Sequence, residues 1–121
     1  MARTAVPVTT ITPNASNTMP AGTTIVQADG ASIPAGDTTR LLIRIRNTNG
    51  SDRVATILAG DPALAPRASL GNLAVTVPAT SGDVLLVVES ARFKQADDSI
   101  HVDFAASFAG TISAILLPKN A

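Results

Sequence analysis

His101 is the single histidine of a 121-residue chain that contains no Cys, Trp or Tyr. Asp103 stands two positions further on. Side chains alternate along an extended strand, so residues two apart share a face. His101 and Asp103 are therefore placed to hydrogen-bond to each other or to contribute to a metal site. Covalent catalysis needs a nucleophile and an orienting group beside the base, and no third member stands out. A zinc centre wants more Cys or His ligands than one imidazole provides. The pair reads as a structural or interface feature, with no catalytic, cofactor-binding or metal role expected.

Two other groups have the residue types for chemistry. Asp97-Asp98-Ser99 resembles a fragment of a calcium loop, but it lacks the Asp-x-Asp-x-Asp-Gly spacing and the distal Glu. It reads as a hairpin turn joining Gln95 to Ile100. Arg40, Arg44 and Arg46 form a basic stripe on one strand face. A nucleic-acid platform would interleave aromatics for base stacking, and the chain has only Phe93, Phe104 and Phe108, none near the stripe in sequence. Arginine's planar fork suits carboxylates on a protein partner, so the stripe reads as a solvated or protein-facing surface. Sugar stacking on Trp or Tyr is impossible. No P-loop, dinucleotide glycine pattern or Gly-x-Ser-x-Gly elbow occurs, and no enzyme activity is expected.

Composition sets the frame for these groups. Hydrophobic residues make up 45% and charged residues 15%, which excludes general disorder. Nine basic and nine acidic residues give a formal net charge of zero. Phosphate-driven binding to nucleic acid is not expected, and little charge keeps copies apart. No disulfide or thiolate metal site is possible without Cys. The opening residues hold no apolar run of signal-peptide length and no segment reaches the roughly 20 apolar residues of a membrane helix. A cytoplasmic origin and no membrane partner are expected.

The apolar residues come in short β-branched runs cut by turn residues. Val6–Ile11 is a candidate first strand that Pro7 confines to an edge or an arm. Thr12–Met19 is a polar loop, Thr23–Gln27 a second strand, and Asp29-Gly30 a turn. Pro34-Ala-Gly-Asp-Thr-Thr39 reads as a further turn leading into a strand. Leu41–Arg46 alternates cleanly, with Leu41, Ile43 and Ile45 on one face. Asn49-Gly50 is a strong hairpin signal, with Arg53–Ala59 as the returning strand. Asp61-Pro62 could start one helical turn that Pro66 ends. Leu73–Val77, Val84–Glu89 and Arg92–Gln95 are further strands. Ile100–Ala105 puts Ile100, Val102 and Phe104 on one face, and Thr111–Leu117 ends the series. Eight or nine short strands with no amphipathic helix predict an all-β fold. The expected form is a single antiparallel β-sandwich, jelly-roll or immunoglobulin-like. Residues 1–22 would form an extended N-terminal arm and loop, and 23–121 the sandwich domain.

Three stretches carry a resemblance. They are Met1-Ala-Arg-Thr-Ala-Val-Pro-Val with Pro13-Asn14, Glu89-Ser-Ala-Arg-Phe-Lys-Gln-Ala-Asp-Asp-Ser-Ile-His-Val-Asp-Phe104, and Gly110-Thr-Ile-Ser-Ala-Ile-Leu-Leu-Pro118. Ala59-Gly60-Asp61 also fits. Together these resemble the small capsid-decoration (minor capsid) proteins of tailed bacteriophages infecting actinobacteria. The resemblance implies a β-sandwich on the outside of the mature virion. Its partner would be the major capsid protein, and it is often a homo-oligomer at a symmetry axis. It implies no enzyme activity and no cofactor. The alternative is a fibre or tail adhesion module that recognises a host surface. Extended termini can add a strand to a neighbour. The arm, with Val6 and Val8, therefore joins Arg40, Arg44, Arg46, His101 and Asp103 as candidate interface.

Overall fold

Alternation along Leu41–Asn47 drives the centre of the molecule. Leu41, Ile43, Ile45 and Asn47 point inward and are all but inaccessible, while Leu42, Arg44 and Arg46 point outward. The structure is a computed structural model that describes residues 3–34, 40–63, 65–88 and 90–117. Ten strands run in chain order: β1 (Thr4–Ala5), β2 (Val8–Thr10), β3 (Thr23–Thr24), β4 (Ala31–Pro34), β5 (Leu41–Asn47), β6 (Arg53–Ile57), β7 (Leu73–Val77), β8 (Gly82–Leu86), β9 (Ser99–Phe104) and β10 (Gly110–Leu116). A 3-10 turn at Ala68–Leu70 and one helical turn, α1 (Ser90–Phe93), interrupt them.

One sheet has the order β1-β4-β9-β6-β7 and the other β2-β10-β5-β8, with β3 also on β10. The strands β3 to β10 are antiparallel wherever they pair. Numbered 1 to 8, they form sheets 1-8-3-6 and 2-7-4-5. Every connection but β6–β7 passes from one sheet to the other, which is the double-sheet jelly roll and not the immunoglobulin arrangement. The sandwich is thus all-β as expected. Its interior is a single apolar cluster that draws Ile33, Ile57, Ile100 and Val102 from one sheet and Ile43, Ile45 and Ile112 from the other.

The first two strands depart from the expected all-antiparallel pattern. β1 runs parallel to β4, and β2 runs parallel to β10. The expected single strand at Val6–Ile11 is split at Val6-Pro7. There the chain steps from the edge of one sheet to the edge of the other, because Pro7 has no N–H to give a ladder. Val6 sits between the sheets, 1% exposed. The arm therefore closes one flank of the sandwich and is no appendage ahead of it.

Three further expectations change. Asn49-Gly50 does not make a hairpin, since β5 and β6 lie in different sheets. A type I′ turn needs positive φ at both residues, and neither has it. Instead the buried Asn47 amide donates to the carbonyls of Ser51, Val77 and Pro78 and accepts from the Asn49 N–H, pinning a corner between sheets. Arg92–Gln95 is no strand. Its first residues belong to α1, where Phe93 is buried and Arg92 lies 4.8 Å over its ring. β4 was not foreseen, because its four residues offer only Ala31 and Ile33 as inward positions. The turn expected over 35–39, and Glu89 at the end of its expected strand, lie outside the described residues.

Candidate functional site

β9 sets the first polar site. Register places Ser32 of β4 opposite His101, and Ala5 of β1 opposite Ser32. The three form an outward row across neighbouring strands. With Arg3 and Asp97 they line a cleft of about 420 Å³. The Asp97 carboxylate caps the turn into β9, accepting from the Ser99 N–H and from the Ser99 hydroxyl. The hydrogen bonds from Ser99 hold Asp97 below the usual carboxylate range.

His101 and Asp103 lie on one face of β9, but they do not bond to each other as the spacing allowed. Asp103 Oδ1 takes the Arg3 guanidinium at 2.7 Å, and the same Nη1 donates to the Val102 carbonyl at 3.2 Å. His101 Nε2 lies 3.9 Å from Asp97 Oδ1, too far for a hydrogen bond. Burial and the nearby Arg3 charge lower the His101 pKa, and Asp97 and Asp103 oppose this in part. The imidazole is then neutral at pH 7, able to donate through one nitrogen and accept through the other. Among the described residues, no group of three or more His, Cys, Asp or Glu could hold a metal. Arg3 was missed in the sequence because its partner lies 100 positions away.

Gly30 makes room for this clamp. Its φ is +71°, and a Cβ there would stand 2.4 Å from Arg3 Nη1 and 2.9 Å from Asp103 Oδ1. Glycine takes this φ without strain and leaves the guanidinium its place; a larger residue would strain the backbone and push Arg3 aside.

The second site is the outer face of β5 and β8. Register sets Arg44 opposite Leu85, and Arg46 opposite Asp83. Arg44 grips Asp83 with two nitrogens, Nε to Oδ1 at 2.9 Å and Nη2 to Oδ2 at 2.6 Å. Arg46 Nε follows at 3.8 Å. The hydrogen bond from Arg44 lowers the Asp83 pKa, and the same bond raises that of Arg44. The basic stripe is therefore partly neutralised from within. Arg40 lies apart, ahead of β5, with Nη1 on the Leu117 carbonyl. Leu85 stands on β8, the strand that ends its sheet, and Val87 follows just past it; each is 59% exposed. Sequence reasoning named the arginines but not Asp83, Leu85 or Val87. The uncharged run Val84–Val88 was the available signal.

All three phenylalanines are interior, with Phe104 and Phe108 in edge-to-face contact at 5.1 Å. None can serve either surface as a stacking platform. Val6 is buried in the chain's own core, and Val8 is partly buried against that core. No family model, curated protein or solved structure matches this chain.

Proposed function

We propose that this protein is a structural virion component that decorates and stabilises the outside of a tailed-phage head, with the major capsid protein as its partner. The observation that carries the reading is the outer face of β5 and β8. Leu85 on β8 and Val87 just past it stand exposed, with Leu85 opposite Arg44 of the Arg44–Asp83–Arg46 cluster. An apolar centre rimmed by arginine is the composition of a protein interface. The resemblance of the arm and of Glu89–Phe104 to decoration proteins points the same way. Binding the assembled shell across subunit boundaries stabilises it by mass action.

Co-sedimentation with purified mature heads tests this. Saturable binding, lost in Leu85→Lys, is the expected result, and absence from the shell fraction at saturating protein sinks the idea. The cleft at His101 favours a second reading, an adhesion module that takes a polar host group. Glycan-array or host-cell binding without shell affinity would reverse the order.

A further inference from the structure

The eight strands β3 to β10 complete the jelly roll by themselves, and the segment Arg3–Thr10 lies along its flank. That segment fills two edges at once. The N–H groups of Thr4 and Val6 donate to the carbonyls of Gly30 and Ser32, and the Ile11 N–H donates to the Leu116 carbonyl. β2 and β3 share the outer edge of β10, one toward each end. Val6 fills the gap between the sheets, and Arg3 clamps onto Asp103.

The tether behind this segment is of a different kind. From Thr12 to Met19 every residue is exposed. The bonds around Asn17 join it to Thr12 and Ala15, within the loop itself. The exposed residues 12–19 can span up to roughly 28 Å when extended. The segment is thus a strand donor, docked by specific contacts and attached through a loop that does not fix which molecule receives it.

We infer that the flank formed by β4 and β10 is a strand-accepting groove that takes residues 3–10 of a second copy of this chain in place of its own. Reciprocal exchange keeps every contact of the closed form and needs no new surface. The zero net charge opposes no such approach. The competing term is the closed form's effective concentration, on the order of millimolar for a short flexible tether. Exchange therefore belongs to high local concentration and is small in dilute solution. The inference concerns the isolated protein and stands apart from any binding to a shell.

The cysteine-free chain allows a direct test. Ala5 and Ser32 are register partners whose side chains face the same open cleft. Facing strand partners fall within the Cα separation a disulfide accepts. Three samples are prepared: Ala5→Cys mixed with Ser32→Cys, each single variant alone, and the double variant. Each is unfolded, refolded near millimolar concentration, oxidised and mapped by peptide mass. The expected result is a 5–32 cross-link between chains in the mixture, well above the random dimers of either single variant. Its ratio to monomer should rise about tenfold for each tenfold rise in protein. A double variant that closes within one chain, beside a mixture with no 5–32 link, overturns the inference. A double variant that does not close also overturns it, because the strand pair would then not form.

Discussion

At the scale of single residues, most polar side chains inside this fold serve geometry. Asn47 is the strongest case. It is 1% exposed, and its amide satisfies carbonyls on the corner and at the end of β7. Asn47→Ala leaves those carbonyls and the Asn49 N–H without a partner, at about 1–3 kcal/mol for an unsatisfied buried group plus the cavity. The expected total is about 3 kcal/mol, a fall in Tm of roughly 10 °C for a domain of this size, read by calorimetry. The Arg44–Asp83 pair should behave differently. Both groups still reach solvent, with side chains 19% and 33% accessible, so water and salt screen their attraction. A double-mutant cycle with Arg44→Ala and Asp83→Ala is expected to give about 0.2–1 kcal/mol, shrinking in high salt. Gly30→Ala should cost more than either arginine pair, because it meets both φ strain and the Arg3 clamp. The arm, and with it the Arg3–Asp103 bond, should loosen first, visible as faster amide exchange at Thr4 and Val6.

At the scale of elements, legibility followed locality. Leu41–Arg46 and Ile100–Ala105 announced themselves, since one strand's alternation needs no knowledge of its neighbours. β5 formed where expected, extended by one residue at its end, and β9 formed one residue earlier than expected, at Ser99–Phe104. Pairing partners were not legible. Asn49-Gly50 carries the local chemistry of a hairpin, yet β5 already has β10 and β8 on its two sides, so the chain must cross to the other sheet. The stretch after Glu89 reads as strand from Arg92 and Phe93, but tertiary burial of Phe93 wins over that local preference. Of the candidate sites, Arg44, Arg46, His101 and Asp103 were visible as outward positions. Their partners Asp83, Asp97 and Arg3 were not, because register and chain reversal set those contacts. Two outcomes belong to this scale. Val6→Ala removes two buried methyls from the arm at about 1.5–3 kcal/mol, measured by denaturant unfolding. Leu85→Lys should leave stability within about 0.5 kcal/mol, since the side chain is already mostly in water.

For the whole molecule, acid is the expected weakness. The His101 imidazole titrates below its ordinary 6.5 in the folded chain. The unfolded chain then takes up a proton that the folded one resists, so the contribution of His101 is complete above that value and declines as pH falls through it. Asp83 and Asp97 titrate below their ordinary 3.8. Their contributions are complete above that value and are lost as pH falls further. The three effects share a sign. Tm should therefore hold from pH 8 to about 7, fall gently toward pH 5, and fall again below about pH 4. His101→Gln should flatten the upper decline and leave the lower one. The two flanks of the sandwich carry a separate consequence. The arm lies along β4 and β10, while β7 and β8 end their sheets on the other flank, where residues 78–81 join them. Each sheet thus ends in a short arm strand, β1 or β2, on one flank and in a five-residue strand, β7 or β8, on the other, so the longer pair offers a second molecule the larger ladder.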